Sequence, residues 1–441
     1  MDDLLAARSQ MALSLGFHII FACIGMIMPF LMAISHYKYL KTGLQKYKLL
    51  TKAWSKGVAI FFVTGAVSGT MLSFELGLLW PKFMEHAGPI FGMPFSLEGT
   101  AFFIEAIALG FFLYGWEKFH PWFHWFTGVV VGLSGLASGI LVVAANAWMN
   151  APAGFDFVNG EYLNINPMAA MFNETWFTQA LHMILAAFVA TCFAVAGIHA
   201  FLILRGKSVE IHKSALKIAL TIGAFAAILQ PISGDLSAKD VAQRQPAKLA
   251  AMEAHFRTEK AAPLIIGGIP DESEREVKYA LKIPGALSFL AHGDFQAEVT
   301  GLDQIPNEEH PPVLVTHIAF QIMVACGGVL MLAGIAWLFG LWKSKAFIYH
   351  KKFLKFLIFL TPLGFLAVEA GWVVTEVGRQ PWILYGIMKT KDALTPMPGL
   401  VYSFSLYAII YISLAVIVST LLIRQIKSLE TDQDLSLPQN Q

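Results

Sequence analysis

Six residues sit in apolar helical stretches where their kind is rare or chemically useful: His18, Glu98, Glu105, His182, Met323 and Glu376. Ionisable groups in hydrocarbon are costly enough that each marks a functional site by default, and Met323 joins them because a thioether binds metal. Histidine, methionine and carboxylate in apolar surroundings suit haem ligation. An imidazole with a thioether gives six-coordinate iron fit for electron transfer, and a single protein ligand leaves a position open to a gas such as oxygen. Glu98 and Glu105 are seven residues apart, so two helical turns place both on nearly one face, an arrangement suited to proton relay. Structural readings stand beside these. A lone membrane histidine often serves as an interhelical hydrogen-bond partner, methionine as core filler, and Glu98 as a cap near Pro94 and Ser96.

The elements that position these residues are membrane helices. Of 441 residues 56% are hydrophobic and 14% charged, with a mean hydropathy of +0.60; soluble domains run at roughly 45–50% and about 25%. The net charge is +1 and the basic residues are spread over loops, so no nucleic-acid-binding face is expected. Nine apolar runs are long enough to span a bilayer, at about 11–34, 55–79, 95–115, 124–147, 176–204, 214–231, 312–340, 354–377 and 400–423. Basic residues mark cytoplasmic loops. They gather at Lys38 to Lys52, Lys118, Arg205 to Lys213, Lys343 to Lys355, and Arg424 with Lys427, whereas 148–175 has none.

This predicts an all-α polytopic membrane protein with its N-terminus outside and its C-terminus in the cytoplasm. Helices one to six occupy 1–232, a long external loop 233–311, helices seven to nine 312–425, and a cytoplasmic tail 426–441, unstructured after Leu429. An Ala/Glu/Lys-rich patch from Ala247 to Arg257 predicts short helices joined by turns within the loop. The acidic start lacks a cleavage site, so the first apolar segment is expected to remain. Cys23, Cys192 and Cys326 stand alone and read as small core residues. His36, His120, His124, His212 and His350 fall in cytoplasmic loops or helix ends and are expected to be solvated; His199, His317 and Glu369 carry no assignment.

This topology gives each odd residue a depth. His18, Glu98, His182 and Met323 fall in the outer halves of spans one, three, five and seven, and Asn146 and Glu376 at the outer ends of spans four and eight. A built site in one outer layer is the expectation.

At this point the residues resemble a family. Arg8-x-Gln10 through His18, the run Glu98 to Glu105, Asn146 to Asn150 with Pro152 and Gly154, Gln321-Ile322-Met323, and above all Gly371-Trp372 to Glu376-x-Gly378-Arg379-Gln380-Pro381-Trp382 are similar to subunit I of cytochrome bd-type quinol oxidases. The resemblance implies a subunit of a terminal respiratory oxidase in the bacterial cytoplasmic membrane, taking electrons from membrane quinol and reducing oxygen to water, electrogenic without being a pump. It implies His182 and Met323 as ligands of a low-spin haem b, and His18 and Glu376 as ligands at a high-spin haem b and a third haem, of d or b type. Glu98 and Glu105 would feed protons, Arg379 would balance haem propionates, and Trp372 would pack on a macrocycle; Arg8 and Asn146 join the cofactor-binding set. Lys248 and Glu253 align with the loop residues of the quinol site, an exposed helical salt-bridge pair being the structural alternative. A second membrane subunit is implied, and a small single-helix subunit is allowed. Two departures are visible: Gln321 stands where some members carry arginine, and the external loop is of the shorter type. A two-haem cytochrome linking quinone to a dehydrogenase, and a proton-coupled transporter, remain rival readings; the latter would favour broken midplane helices.

Overall fold

The computed structural model describes residues 1–206 and 208–431. Among them nine helices are long and apolar enough to cross a membrane. In chain order the first elements are α1 (Asp3–Thr42), α2 (Gln45–Leu79), α3 (Pro81–Tyr114), α4 (Pro121–Asn150), the hairpin β1 (Asp156–Val158) and β2 (Glu161–Leu163), and α5 (Pro167–Met171). Then come α6 (Trp176–Leu204), α7 (Val209–Arg244), α8 (Pro246–Met252), β3 (Glu259–Lys260), β4 (Leu264–Asp271), β5 (Glu276–Ile283), α9 (Ala286–His292) and β6 (Glu298–Val299). The chain ends with α10 (Val313–Lys343), α11 (Lys345–Ile348), α12 (Lys351–Leu360), α13 (Leu363–Val377), β7 (Trp382–Leu384), β8 (Met388–Lys389) and α14 (Leu400–Thr431). The tail expected to be unstructured lies largely outside the described residues.

Each span starts and stops for local reasons. Asp2 caps α1 by accepting from the Leu5 amide at 2.7 Å. Pro81 and Pro121 open α3 and α4 at the first helical position, where no N–H is needed. The eighth span is two helices, α12 and α13, broken at Thr361-Pro362. Pro89, Pro94 and Pro231 leave their helices unbroken. Glu98 therefore lies mid-helix, and its expected alternative role as a cap is excluded.

Small residues let the spans approach. Gly364 of α13 meets the backbone of Ala190 on α6, and Gly223 of α7 faces Cys192. All three cysteines are buried and unpaired, as core residues. The start of α1 is tied to that of α14, Asp3 Oδ1 accepting from the Leu400 amide at 2.8 Å. One apolar cluster there unites Ala6, Leu79, Phe83, Trp148 and Leu384, defining what we call the loop end of the bundle.

Three expectations need correction. The sixth span does not stop at 231: α7 continues to Arg244, because Asp235–Lys239 (2.7 Å) and Asp240–Arg244 (2.9 Å) pair at four-residue spacing and support a polar helix. The loop is not only short helices and turns. Residues 264–271 and 276–283 pair as an antiparallel hairpin, fastened to α10 by Gln321, whose Oε1 accepts from the Gly267 amide (2.9 Å) and whose Nε2 donates to Ile265 O (3.1 Å). His317, fully buried, stands between Met252 O and Gly267 O at 2.8 and 3.1 Å and helps hold the same hairpin.

The third correction concerns histidines. His36, His124 and His212 are buried: His36 and His124 pack ring to ring beside Trp116, and His212 shares a 3.0 Å hydrogen bond with His199. Aromatic neighbours supply partners that position in the sequence does not reveal. His120 and His350 are exposed, as expected.

Candidate haem and proton site

His18 and His182 are built alike. His18 Nδ1 lies 2.9 Å from Ser68 Oγ, and Ser68 itself donates to Thr64 O at 2.9 Å. His182 Nδ1 lies 3.0 Å from Ser233 Oγ, and Ser233 donates to Gln230 O at 2.8 Å. A hydroxyl has one proton, so each serine that gives it to a carbonyl must accept from the imidazole. Both rings therefore carry their proton on Nδ1, leaving Nε2 as an acceptor. That is the support metal-binding histidines receive from their surroundings. Gln230 Nε2 lies 3.1 Å from His182 Nε2, 3.2 Å from its Nδ1 and 3.2 Å from its backbone O.

Glycines clear space around the ligand side chains. A Cβ on Gly69 would stand 3.0 Å from His18 Cε1, and one on Gly371 would stand 3.1 Å from Met323 Sδ. Ser68, Gly69, Ser233 and Gln230 are among the residues that sequence reading missed. Their only signal is spacing, Ser68 lying four residues after Thr64 on a helix facing His18.

Helix α13 organises the layer. Glu369 faces Gly16 of α1, Gly371 touches Met323 of α10, and Glu376 accepts from Asn146 of α4 at 2.5 Å, all within two turns. His182 belongs at the same level: α6 meets α13 at Ala190 and Gly364, and two turns towards the loop end from that crossing bring His182 opposite Gly371 and Trp372. Trp372 packs at the edge of the core of α1 and α6. Arg379, 2% exposed, donates to Glu376 Oε2 at 2.5 Å while its other guanidinium nitrogens, Nε and Nη1, are buried without partners. Orphaned cationic donors of this kind fit an anionic group such as a haem propionate. Arg8 is half-buried near the start of α1.

Both relay glutamates face α4. Glu98 accepts from Ser138 Oγ at 2.7 Å, and the Glu105 carboxylate sits where a Cβ on Gly135 would be 3.2 Å away. The shared face holds. Their depth differs from the expected single layer, since Ser138 lies eight residues below Asn146, roughly 12 Å along the helix. Carboxylates thus descend from Glu376 through Glu98 to Glu105. Glu75, a fully buried acid accepting from Ser14 Oγ (2.6 Å) and Gln10 (3.3 Å), escaped the sequence reading because it stands near a helix end.

Lys248 and Glu253 are not an exposed pair. Each is buried, Lys248 Nζ donating to Asn150 Oδ1 at 2.7 Å and Glu253 keeping Oε2 without a partner. Burial, with the Arg379 charge added, brings the Lys248 ammonium down to about 7; burial alone pushes the Glu253 carboxyl up to about 8. Buried groups poised near neutrality suit proton transfer.

Fold and site together define a multi-pass helical membrane protein with two serine-fixed imidazoles and a descending row of carboxyl groups inside the bundle. The family model for cytochrome bd terminal oxidase subunit I matches residues 6–429, and the chain belongs to that family. It is 35% identical over 445 residues to a putative cytochrome bd menaquinol oxidase subunit I of Bacillus subtilis (strain 168), covering 99% of both chains. It is 31% identical over 445 residues to the cytochrome bd ubiquinol oxidase subunit 1 of the same organism, covering 97% of this chain and 94% of that one. The solved bd oxidase from Geobacillus thermodenitrificans superposes with a TM-score of 0.91 at 38% identity, covering 97% of this chain and 98% of that one. Membership makes this a quinol oxidase subunit, of a family that implies haem cofactors.

Proposed function

We propose that this chain oxidises membrane quinol at the outer face of a bacterial cytoplasmic membrane and reduces oxygen to water with protons drawn from the cytoplasm. The observation that carries the reading is the pair of serine-fixed imidazoles, His18 and His182, each keeping Nε2 as an acceptor, in a bundle where Arg379 holds unpartnered donors. His182 and Met323 would hold a low-spin haem b; His18 and Glu376 would serve a high-spin haem b and a third haem, of d or b type. When bound, the haems supply one-electron transfer and oxygen chemistry.

The chain's own residues do the rest. The loop end faces outwards in this reading, as the basic residues of the opposite end require. Glu253, in its carboxylate form, accepts a proton from quinol, and Lys248 orients the headgroup from Asn150. Protons for water rise along Glu105 and Glu98, which α4 keeps on one face. Because those protons come from the cytoplasm and quinol protons leave outside, turnover charges the membrane without a pump. A second membrane subunit completes the oxidase, with room allowed for a small single-helix one.

The test is a reduced-minus-oxidised spectrum of the isolated complex with pyridine haemochrome analysis, followed by carbon monoxide. Three haems and a carbon monoxide difference band are expected. A colourless protein favours a transporter, and haems that ignore carbon monoxide favour a six-coordinate electron carrier.

A further inference from the structure

An unbroken run of hydrogen bonds joins the loop to the end of α13. Lys248 Nζ donates to Asn150 Oδ1 (2.7 Å), Asn150 Nδ2 donates to Asn146 O (2.9 Å) and Oδ1 (3.0 Å), and Asn146 Nδ2 donates to Glu376 Oε1 (2.5 Å). Arg379 closes the run on the other oxygen of Glu376. Gln245 Nε2 adds a second clasp on Asn150, to its backbone O at 2.8 Å and to Oδ1 at 3.2 Å. Asn150 is 4% exposed and Lys248 5%, so neither trades these bonds freely with water.

The polarity of the run matters. Asn150 accepts from the loop through Oδ1 and donates along α4 through Nδ2, so strengthening or removing the lysine donor changes the amide that holds Asn146. Asn150 also lines a cleft of about 650 Å³, together with Pro152, Phe172, Asn173, Arg244 and Tyr385. The lining offers two aromatic rings, Phe172 and Tyr385, and the side-chain amides of Asn150 and Asn173, the kind of surface a planar hydroxylated ring binds.

We propose that Asn150 is a positioning residue coupling the loop site to Glu376. A quinol headgroup entering the cleft draws Asn150 into its own hydrogen bonds, and the change passes through Asn146 to the carboxylate. The inference rests on the quinol oxidase reading above. It also carries a thermodynamic obligation: whatever the headgroup does to the Glu376 end, a ligand at that end must do equally to headgroup binding.

The test uses the oxidised holoenzyme and a heptyl hydroxyquinoline N-oxide as a redox-inert quinol mimic, its Kd read from its own fluorescence with and without cyanide on the haems. In the unaltered enzyme the two Kd values should differ within the usual range of site-to-site coupling, about 5–150-fold. Asn150→Leu removes both bonds. Asn150→Asp keeps an acceptor for Lys248 yet has no Nδ2 to donate, so it cuts only the Asn146 half. Both variants should bring the ratio to about 1, the value for uncoupled sites, with haem content close to the parent. If Asn150→Leu fails to assemble, Asn150→Asp decides alone. The proposal is overturned if the parent enzyme shows equal Kd values, or if Asn150→Asp keeps the parental ratio. A parent enzyme without haem would instead sink the oxidase reading, so the two failures are distinct.

Discussion

Removing a serine hydroxyl should cost this protein a haem. Ser68→Ala and Ser233→Ala leave the His18 and His182 rings free to turn over or to move their proton to Nε2, the nitrogen the iron needs. Loss of such a supporting partner typically lowers metal affinity about 10–100-fold. The haem-to-protein ratio after purification, with each variant compared for the low-spin and high-spin bands, measures it. Ser68→Ala should deplete the high-spin signal, and Ser233→Ala the low-spin one. At the loop, the sign of the pH dependence follows from Glu253. Burial holds it protonated below about pH 8, and only the carboxylate can take a proton from quinol, so turnover should climb as pH rises through that value. Glu253→Gln should remove this limb and leave a flat, slow profile. A limb that survives the substitution would exclude Glu253 as the base.

The outer hairpin behaves as an element with its own attachment. Gln321 and His317 hold it by backbone atoms alone, so its sequence can vary while its position on α10 stays fixed. Gln321→Leu removes two hydrogen bonds worth about 1 kcal/mol each. The amides of β4 and β5 should then exchange roughly ten times faster or more, and the KM for quinol should rise with the haem spectra unchanged. Unaltered exchange would show that the hairpin is held elsewhere. The hairpin also marks a limit of sequence reading. Ile265, Val277 and their alternating neighbours do carry a strand period, but glycines at 267 and 268 and a lysine-rich partner strand hide it. For α7 the obscuring feature was the opposite: Pro231 and a polar stretch imitate a helix end, while ion pairs keep the helix going.

The whole bundle was the most legible part, because bilayer thickness sets span length and apolar runs announce themselves. The polar residues set inside the spans were legible as well, each being an exception to that apolar rule. What holds them was not. Ser68, Ser233 and Asn150 are ordinary polar residues whose meaning appears only when another helix is placed opposite. The same applies to Lys248, Glu253, His36, His124 and His212, whose burial is decided by tertiary neighbours. At this scale the acid ladder makes a prediction: Glu105→Gln should leave haem reduction by quinol intact and slow the proton-requiring oxygen step by about 10²–10⁴, the usual worth of a positioned acid. Stopped-flow reaction of the reduced enzyme with oxygen separates the two. Equal slowing of both steps would place Glu105 outside the proton path.

Because one short helix, α13, carries Glu369, the contact to Met323 and Glu376 within two turns, no spacing among them can drift alone. Insertion of one residue there would swing every following side chain by about 100°. Lineages are therefore free to remodel the loop and the lipid-facing surfaces, while this rod can change only by like-for-like exchange, and variation within it should be nearly frozen in length.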